Sequence, residues 1–225
     1  MSTSTLVNDI AGVNKSSDCD TNYNVERAST FESHPKFQQY LEQYHLHQEE
    51  HPPLNNSESI KPNLTGYTLA GPDKIAYRST SMYFIHGKYR TYPEIVEDAT
   101  DNFSVTFFYL GHQLSGHSGI VHGGLLATLL DELTCRLAFH NLESNRGVTA
   151  NLNIDYKQPT FVDQYVMFKC VVVKKQGRKC WVRGEVYRAD LDSDDKFDSK
   201  ENLLAVCTVL VIEPKWQFKT PPLSE

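Results

Sequence analysis

The stretch from about Gly124 to Asn141 constrains this chain more than any other, because its apolar residues follow helical spacing and leave almost no polar side. Leu125, Leu126, Ala127, Leu129, Leu130, Leu133, Leu137, Ala138 and Phe139 populate nearly the whole circumference. A helix of that kind must be enclosed. It falls short of the ~20 apolar residues that cross a bilayer, so no membrane span is expected and the rest of the chain must do the covering.

That rest reads mainly as strands. Lys74–Ile85 and Asp101–Leu110 are rich in Tyr, Phe, Val, Ile and Thr, as pleated segments are. A Gly-rich turn, Gly111–Gly119, then leads to the helix. Further strands are expected at Gly147–Tyr156, Gln164–Lys174 and Lys179–Arg188, the last two joined by a hairpin turn at Lys175-Gln176-Gly177-Arg178. A polar loop, Asp190–Asn202, precedes a final strand at Leu203–Ile212. One buried helix wrapped by an antiparallel sheet is an α+β arrangement, the hotdog fold. Residues 65–215 are expected to form it, and 225 residues suffice for one such core.

The flanks differ in character. Residues 1–34 are rich in Ser, Thr, Asn and Asp without hydrophobic period and read as a disordered tail. Phe37, Tyr40, Leu41 and Tyr44 then predict a short amphipathic helix from Pro35 to about Glu50, ended by His51-Pro52-Pro53. A linker completes the segment 35–64, and residues 216–225 form a second tail.

Charge and cysteine use exclude several classes. A net charge of −6 argues against a nucleic-acid surface. The amino terminus has no basic start with an apolar run, and residues 1–35 carry more acidic than basic side chains, so neither a secretory nor a mitochondrial leader is read. Five scattered cysteines without a Cys-x-x-Cys pair fit free thiols in a reducing compartment. The cytoplasm is the default expectation. No cofactor and no metal site are expected: His45-Leu46-His47 lacks any ligand spacing that completes one. Gly116-His117-Ser118-Gly119 fails as a nucleophile elbow because Ile120 stands where glycine is required.

The buried helix nevertheless carries charge. Glu132 and Arg136 are four residues apart and can pair on one face. Asp131 has no such ionic partner, since its helical neighbours are Thr128, Thr134 and Cys135. A carboxylate there can serve as a general base, or can simply bond a neighbouring threonine. His122-Gly123-Gly124 opens the same helix, where bare backbone N–H groups and the helix dipole favour negative charge. That suits an oxyanion hole. Gly123 and Asp131 are eight residues apart, hence ~12 Å along one helix, too far to reach one carbonyl. Two antiparallel copies solve this, so a homodimer or dimer of dimers with shared sites is expected. A departing thiol, with pKa near ~8.5, needs no strong general acid, which makes a thioester the fitting substrate.

A resemblance supports the same chemistry. "HGGLLATLLDE" is similar to the His-Gly-Gly…Asp signature of hotdog thioesterases of the phenylacetyl-CoA thioesterase kind. "GVTANLNIDYKQP" followed by "KKQGRKCWV" resembles the mitochondrial acyl-CoA thioesterases grouped with the carboxyl-terminal modulator protein. The likeness covers roughly Leu69 to Ile212. It implies an acyl-CoA thioesterase acting on fatty acyl-CoA, with Gly123 as oxyanion donor, Asp131 as base or nucleophile, Thr149 as the hydroxyl that positions the water or the carboxylate, and His122 fixing the turn. It also raises a mitochondrial location. Strand alternation sets Thr149, Asn151, Asn153 and Asp155 on one polar face. Gly124, Lys175, Arg178 and Lys179 are candidate substrate-binding residues, the basic ones for the phosphates of coenzyme A. The alternatives are a non-catalytic acyl-CoA-binding regulator, and a hotdog hydratase or dehydratase, which would want a paired Asp and His.

Overall fold

The computed structural model describes residues 26–43, 47–48, 64–71, 73–75, 81–84 and 103–215. Two helices come first, α1 at 26–33 and α2 at Pro35–Gln43. They are followed by β1 (His47–Gln48), a single helical turn (Leu64–Thr68), β2 (Ser81–Phe84) and β3 (Phe103–Leu110). After β4 (Ser115–His117) and β5 (Ile120–Val121) comes α3, Gly123–Phe139, then β6 (Val148–Tyr156), β7 (Gln164–Gln176), β8 (Lys179–Arg188) and β9 (Leu203–Ile212).

Seven strands form one antiparallel sheet in the order β1-β2-β3-β7-β8-β9-β6. Its helix-facing side is read from the ladder. Val209, Val211, Ala205 and Cys207 on β9, with Val182 and Val186 on β8 and Val166 and Phe168 on β7, pack with Leu126, Leu129, Leu130, Leu133 and Leu137 of α3. The helix crosses β8 at Gly184, where an added Cβ would meet Cys207 Sγ at 2.8 Å and Leu130 and Thr134 at 3.0 Å. Any larger residue would push the helix off the sheet. This is the hotdog fold expected from the apolar helix.

Enclosure is one-sided, however. Ala127, Thr128 and Asp131 are only partly buried and Gly124 is exposed, at helical spacing that places them along one stripe. The strip of α3 that carries the carboxylate thus stays open in the single chain. On its flank, Thr65 of the preceding turn donates to Glu132, which also pairs with Arg136 as the four-residue spacing predicts.

The other face of the sheet is closed by the amino-terminal helices. Phe31, Phe37 and Tyr40 pack with Phe103, Phe107, Met167, Tyr187 and Phe197 in a second, aromatic cluster. Phe31 stacks on Tyr165 with centroids 3.9 Å apart. Residues 26–33, expected to belong to the disordered tail, are therefore helical: burial of Ala28 and Phe31 supplies what a polar segment lacks by itself. Residues 1–25 lie outside the described residues. The second helix ends at Gln43 rather than near Glu50, because His47 and Gln48 are extended and pair with Phe84 and Tyr83. Lys36 fixes α2 to the loop after β8, donating to the carbonyls of Asp190 and Ser193.

Candidate active site

At the start of α3, His122 is the N-cap. Its Nδ1 accepts from Gly124 N–H at 2.9 Å, so the proton of the neutral ring sits on Nε2. Leu125 N–H and Leu126 N–H turn to the His122 carbonyl. Gly123 N–H has no partner among the described residues. It is one of the first-turn N–H groups that no intrahelical carbonyl accepts, and it is left available to an acceptor from outside the helix. Gly124, read from sequence as substrate-binding, has its N–H taken by the cap, and an added Cβ would lie 2.9 Å from the His122 ring. Its smallness admits the imidazole.

A second residue reaches this turn that the sequence reading missed. The Tyr156 hydroxyl donates to Gly123 O at 2.8 Å. Tyr156 ends β6 opposite Ala205, on the helix-facing side. In the sequence it looks like one more strand tyrosine, and only its place in the ladder reveals the contact.

Asp131 lies eight residues further along α3. Thr149 Oγ1 donates to Asp131 Oδ1 at 2.7 Å. The alternation argument set Thr149 on the polar face with Asn151 and Asn153, and the ladder corrects this. Thr149 opposes Val211, whereas Asn151 opposes Leu210, so Ala150 is an extra residue, a β-bulge. It reverses the phase. Thr149 shares the helix-facing side with Leu152, Ile154 and Tyr156, opposite the buried Val211, Val209, Cys207 and Ala205. Without the bulge its hydroxyl would point away from α3.

Cys135, one turn beyond Asp131, completes the cluster. Its Sγ is 3.1 Å from Thr149 Oγ1 and 3.9 Å from Asp131 Oδ1. Burial pushes its thiol up to about 11, against the Thr149 hydrogen bond that lowers it, with the Asp131 carboxylate adding to the rise. The thiol is thus neutral and a hydrogen-bond donor at ordinary pH.

The basic hairpin joins β7 and β8 at the same end of the sheet. Lys175, Cys180, Val211 and Thr149 form one row across four strands, which puts Lys175 about 14 Å from Thr149. Arg178 donates to the Glu213 carbonyl at 2.7 Å, and the Lys174 ammonium lies 5.0 Å from the Trp181 ring centre. Lys179 is exposed beside them. No helix of the described residues is long and apolar enough to cross a membrane, and no cluster of three or more His, Cys, Asp or Glu among them is arranged to hold a metal.

The sequence profile of the Thioesterase superfamily matches residues 118–193, from the turn before His122 to the loop after β8. A Candida albicans protein described as uncharacterized and mitochondrial is 30% identical over 159 residues, covering 69% of this chain and 70% of that one. MIOREX complex component 3 of Saccharomyces cerevisiae is 29% identical over 151 residues, covering 60% and 56%. The acyl-coenzyme A thioesterase THEM4 of Rattus norvegicus is 38% identical over 88 residues, covering 38% of this chain and 36% of that one. The chain thus spans little more than half of the budding-yeast protein and about a third of the rat one. Among solved structures, the Escherichia coli PaaI protein from the phenylacetic acid degradation operon aligns with a TM-score of 0.42 at 16% identity, covering 51% of this chain and 75% of that chain. With the profile falling on the capped glycine turn, the carboxylate and the hydroxyl, the chain belongs to the thioesterase superfamily of hotdog proteins.

Proposed function

We propose that this protein is an acyl-CoA thioesterase with Asp131 as base, Thr149 as the residue that orients it, and Gly123 N–H as oxyanion donor. The observation that carries the reading is the 2.7 Å bond from Thr149 to Asp131 on the open stripe of α3. Both side-chain bonds given to Asp131 end on Oδ1, which leaves Oδ2 to take a proton from water. That water attacks the thioester carbonyl, and the tetrahedral oxyanion is held by Gly123 N–H. Collapse breaks the C–S bond, and the coenzyme A thiolate leaves and takes up the proton. Direct attack by the carboxylate, through an anhydride that water then cleaves, uses the same residues.

Assembly follows from distance. Gly123 and Asp131 of one chain are separated by ~12 Å of helix, whereas both must come within ~3–3.5 Å of the reacting centre. We infer a two-fold homodimer in which α3 of one protomer runs antiparallel to that of its partner, each site taking Gly123 from one and Asp131 from the other. The free edge of β6, which has no neighbour beyond it among the described residues, offers a ladder for such pairing. Lys175, Arg178 and Lys179 stand at the Asp131 end, where they would meet the coenzyme A phosphates. The relative described as mitochondrial favours that compartment over the cytoplasm. The test is release of free thiol from short, medium, long and aryl acyl-CoAs by the purified chain. Failure to hydrolyse any of them would leave an acyl-CoA-binding protein.

A further inference from the structure

Asp131 lies on the open stripe of α3, while Cys135, one turn further along the helix, is only 8% exposed. The Cys135 Sγ is 3.1 Å from Thr149 Oγ1 and 3.9 Å from Asp131 Oδ1, so the thiol fills the crook between strand hydroxyl and helix carboxylate. Among the described residues Thr149 Oγ1 has these two partners and no other. Counting protons fixes the direction of each bond. The single proton of Thr149 goes to Oδ1 at 2.7 Å, and an ionised carboxylate supplies none. The proton in the Cys135–Thr149 contact is therefore the thiol's, which Oδ1 also draws from 3.9 Å. Burial keeps that thiol protonated at ordinary pH.

The thiol does more than fill space. A hydroxyl hydrogen rotates to suit its surroundings, and a Thr149 proton turned elsewhere would leave Asp131 without its orienting bond. A donor on Oγ1 removes that freedom, because a Thr149 proton turned back toward sulfur would face the thiol's own hydrogen. It also polarises the hydroxyl, since hydrogen bonds in a chain strengthen one another. The carboxylate at the end makes the last bond charge-assisted, the strongest of the set. Alanine would suit this apolar helix equally well, but it has no proton to give.

We propose that Cys135 is a positioning residue for thioester hydrolysis: its thiol donates to Thr149 Oγ1, which commits the Thr149 proton to Asp131 Oδ1 and keeps Oδ2 for the attacking water. This rests on the reading of Asp131 as base. A thiol is a weak donor, so Cys135→Ala should lower kcat about two- to fivefold with KM little changed. Thr149→Val keeps the shape of the side chain without its hydroxyl. Because Cys135 acts through Thr149, Cys135→Ala should cost a smaller factor in the Thr149→Val background than in wild type. Lost packing alone would cost the same factor in both. The S–H stretch gives a readout independent of turnover. In the Raman difference between wild type and Thr149→Val, one S–H band should move, since the thiol loses the oxygen it bonds. A Cys135→Ala protein with unchanged kcat, equal factors in the two backgrounds, or a Thr149→Val spectrum in which no S–H band moves overturns the proposal. Should wild type cleave no acyl-CoA at all, the base reading falls and takes the catalytic role of Cys135 with it, while the S–H band still decides whether Cys135 bonds Thr149.

Discussion

Thr149 reaches from strand β6 to Asp131 on helix α3, its hydroxyl donating to Oδ1 at 2.7 Å while Cys135 Sγ sits 3.1 Å behind it. Because a carboxylate only accepts when ionised, the threonine proton is committed to Asp131, and the one thiol proton is shared between the threonine oxygen at 3.1 Å and Asp131 Oδ1 at 3.9 Å. The three groups form a directed chain that ends on the carboxylate.

If that carboxylate is the base, Asp131→Asn should preserve the fold and lower turnover by ~10²–10⁴, the range for a positioned general base. Thermal melts of the two proteins should overlay within a few degrees. A well-folded Asn variant with near-normal thiol release would remove Asp131 from the mechanism.

Thr149 is separable from it. Thr149→Ala should lower kcat with KM nearly intact, because the hydroxyl orients a reacting group, and Thr149→Ser should recover most of the loss. A change confined to KM would make Thr149 a substrate contact instead.

The bulge shows how far sequence pattern could carry the site. The apolar run of α3 was legible because composition alone demands enclosure, and β8 and β9 fall where expected, at Lys179–Arg188 and Leu203–Ile212. Thr149 was found by motif, but its direction came out on the wrong side. A period of two cannot register an extra residue at Ala150, which shows only against the partner strand. Tyr156 was invisible for a related reason, since its bond to Gly123 joins positions 33 residues apart. The helix at 26–33 carries no apolar stripe of its own and exists through docking on the aromatic face of the sheet.

The His122 cap makes a stability prediction. His122→Ala removes the acceptor of Gly124 N–H and should cost ~1 kcal/mol, seen as a lower urea midpoint. His122→Asn, which keeps a short acceptor favoured at N-caps, should cost less. Gly124→Ala should cost about as much as His122→Ala, since its methyl would displace the ring. Equal stability of all four proteins would show that the cap contributes nothing.

Buried thiols set the alkaline limit. Burial raises Cys135 and Cys207 from 9.0 to about 11 and Cys180 to about 12, and pushes Cys170 up further. Above pH 9 the unfolded chain would release these protons while the folded chain still holds them. Stability is therefore full below about pH 9 and falls as pH rises toward 11, by up to ~1.4 kcal/mol per pH unit for each thiol. Melting temperatures between pH 8 and 10.5 should decline, and the slope should be shallower in Cys170→Ala and Cys207→Ala variants, whatever their absolute stability. A slope unchanged by both replacements would assign the loss to other groups.

The shared site makes the sharpest prediction. An Asp131→Asn protomer still offers a sound Gly123, and a Gly123→Pro protomer still offers a sound Asp131. Each homodimer should be nearly inactive, because both of its sites lack one component. In a mixed dimer one site collects both defects and the other collects none. Random pairing makes about half of the dimers mixed, so refolding the two variants together should restore roughly a quarter of wild-type activity. Proline is tolerated at the first helical position, where its missing N–H is one that no intrahelical carbonyl would have accepted. Gly123 occupies that position, directly after the His122 cap. Its Cβ would find Tyr156 at an ordinary 3.5 Å, so the variant should fold, and a melting curve checks it. Subunit exchange is followed with an affinity tag on one variant. If exchanged dimers of two well-folded variants stay inactive, Gly123 and Asp131 do not form one site across the two-fold axis, and the antiparallel arrangement of the helices is wrong.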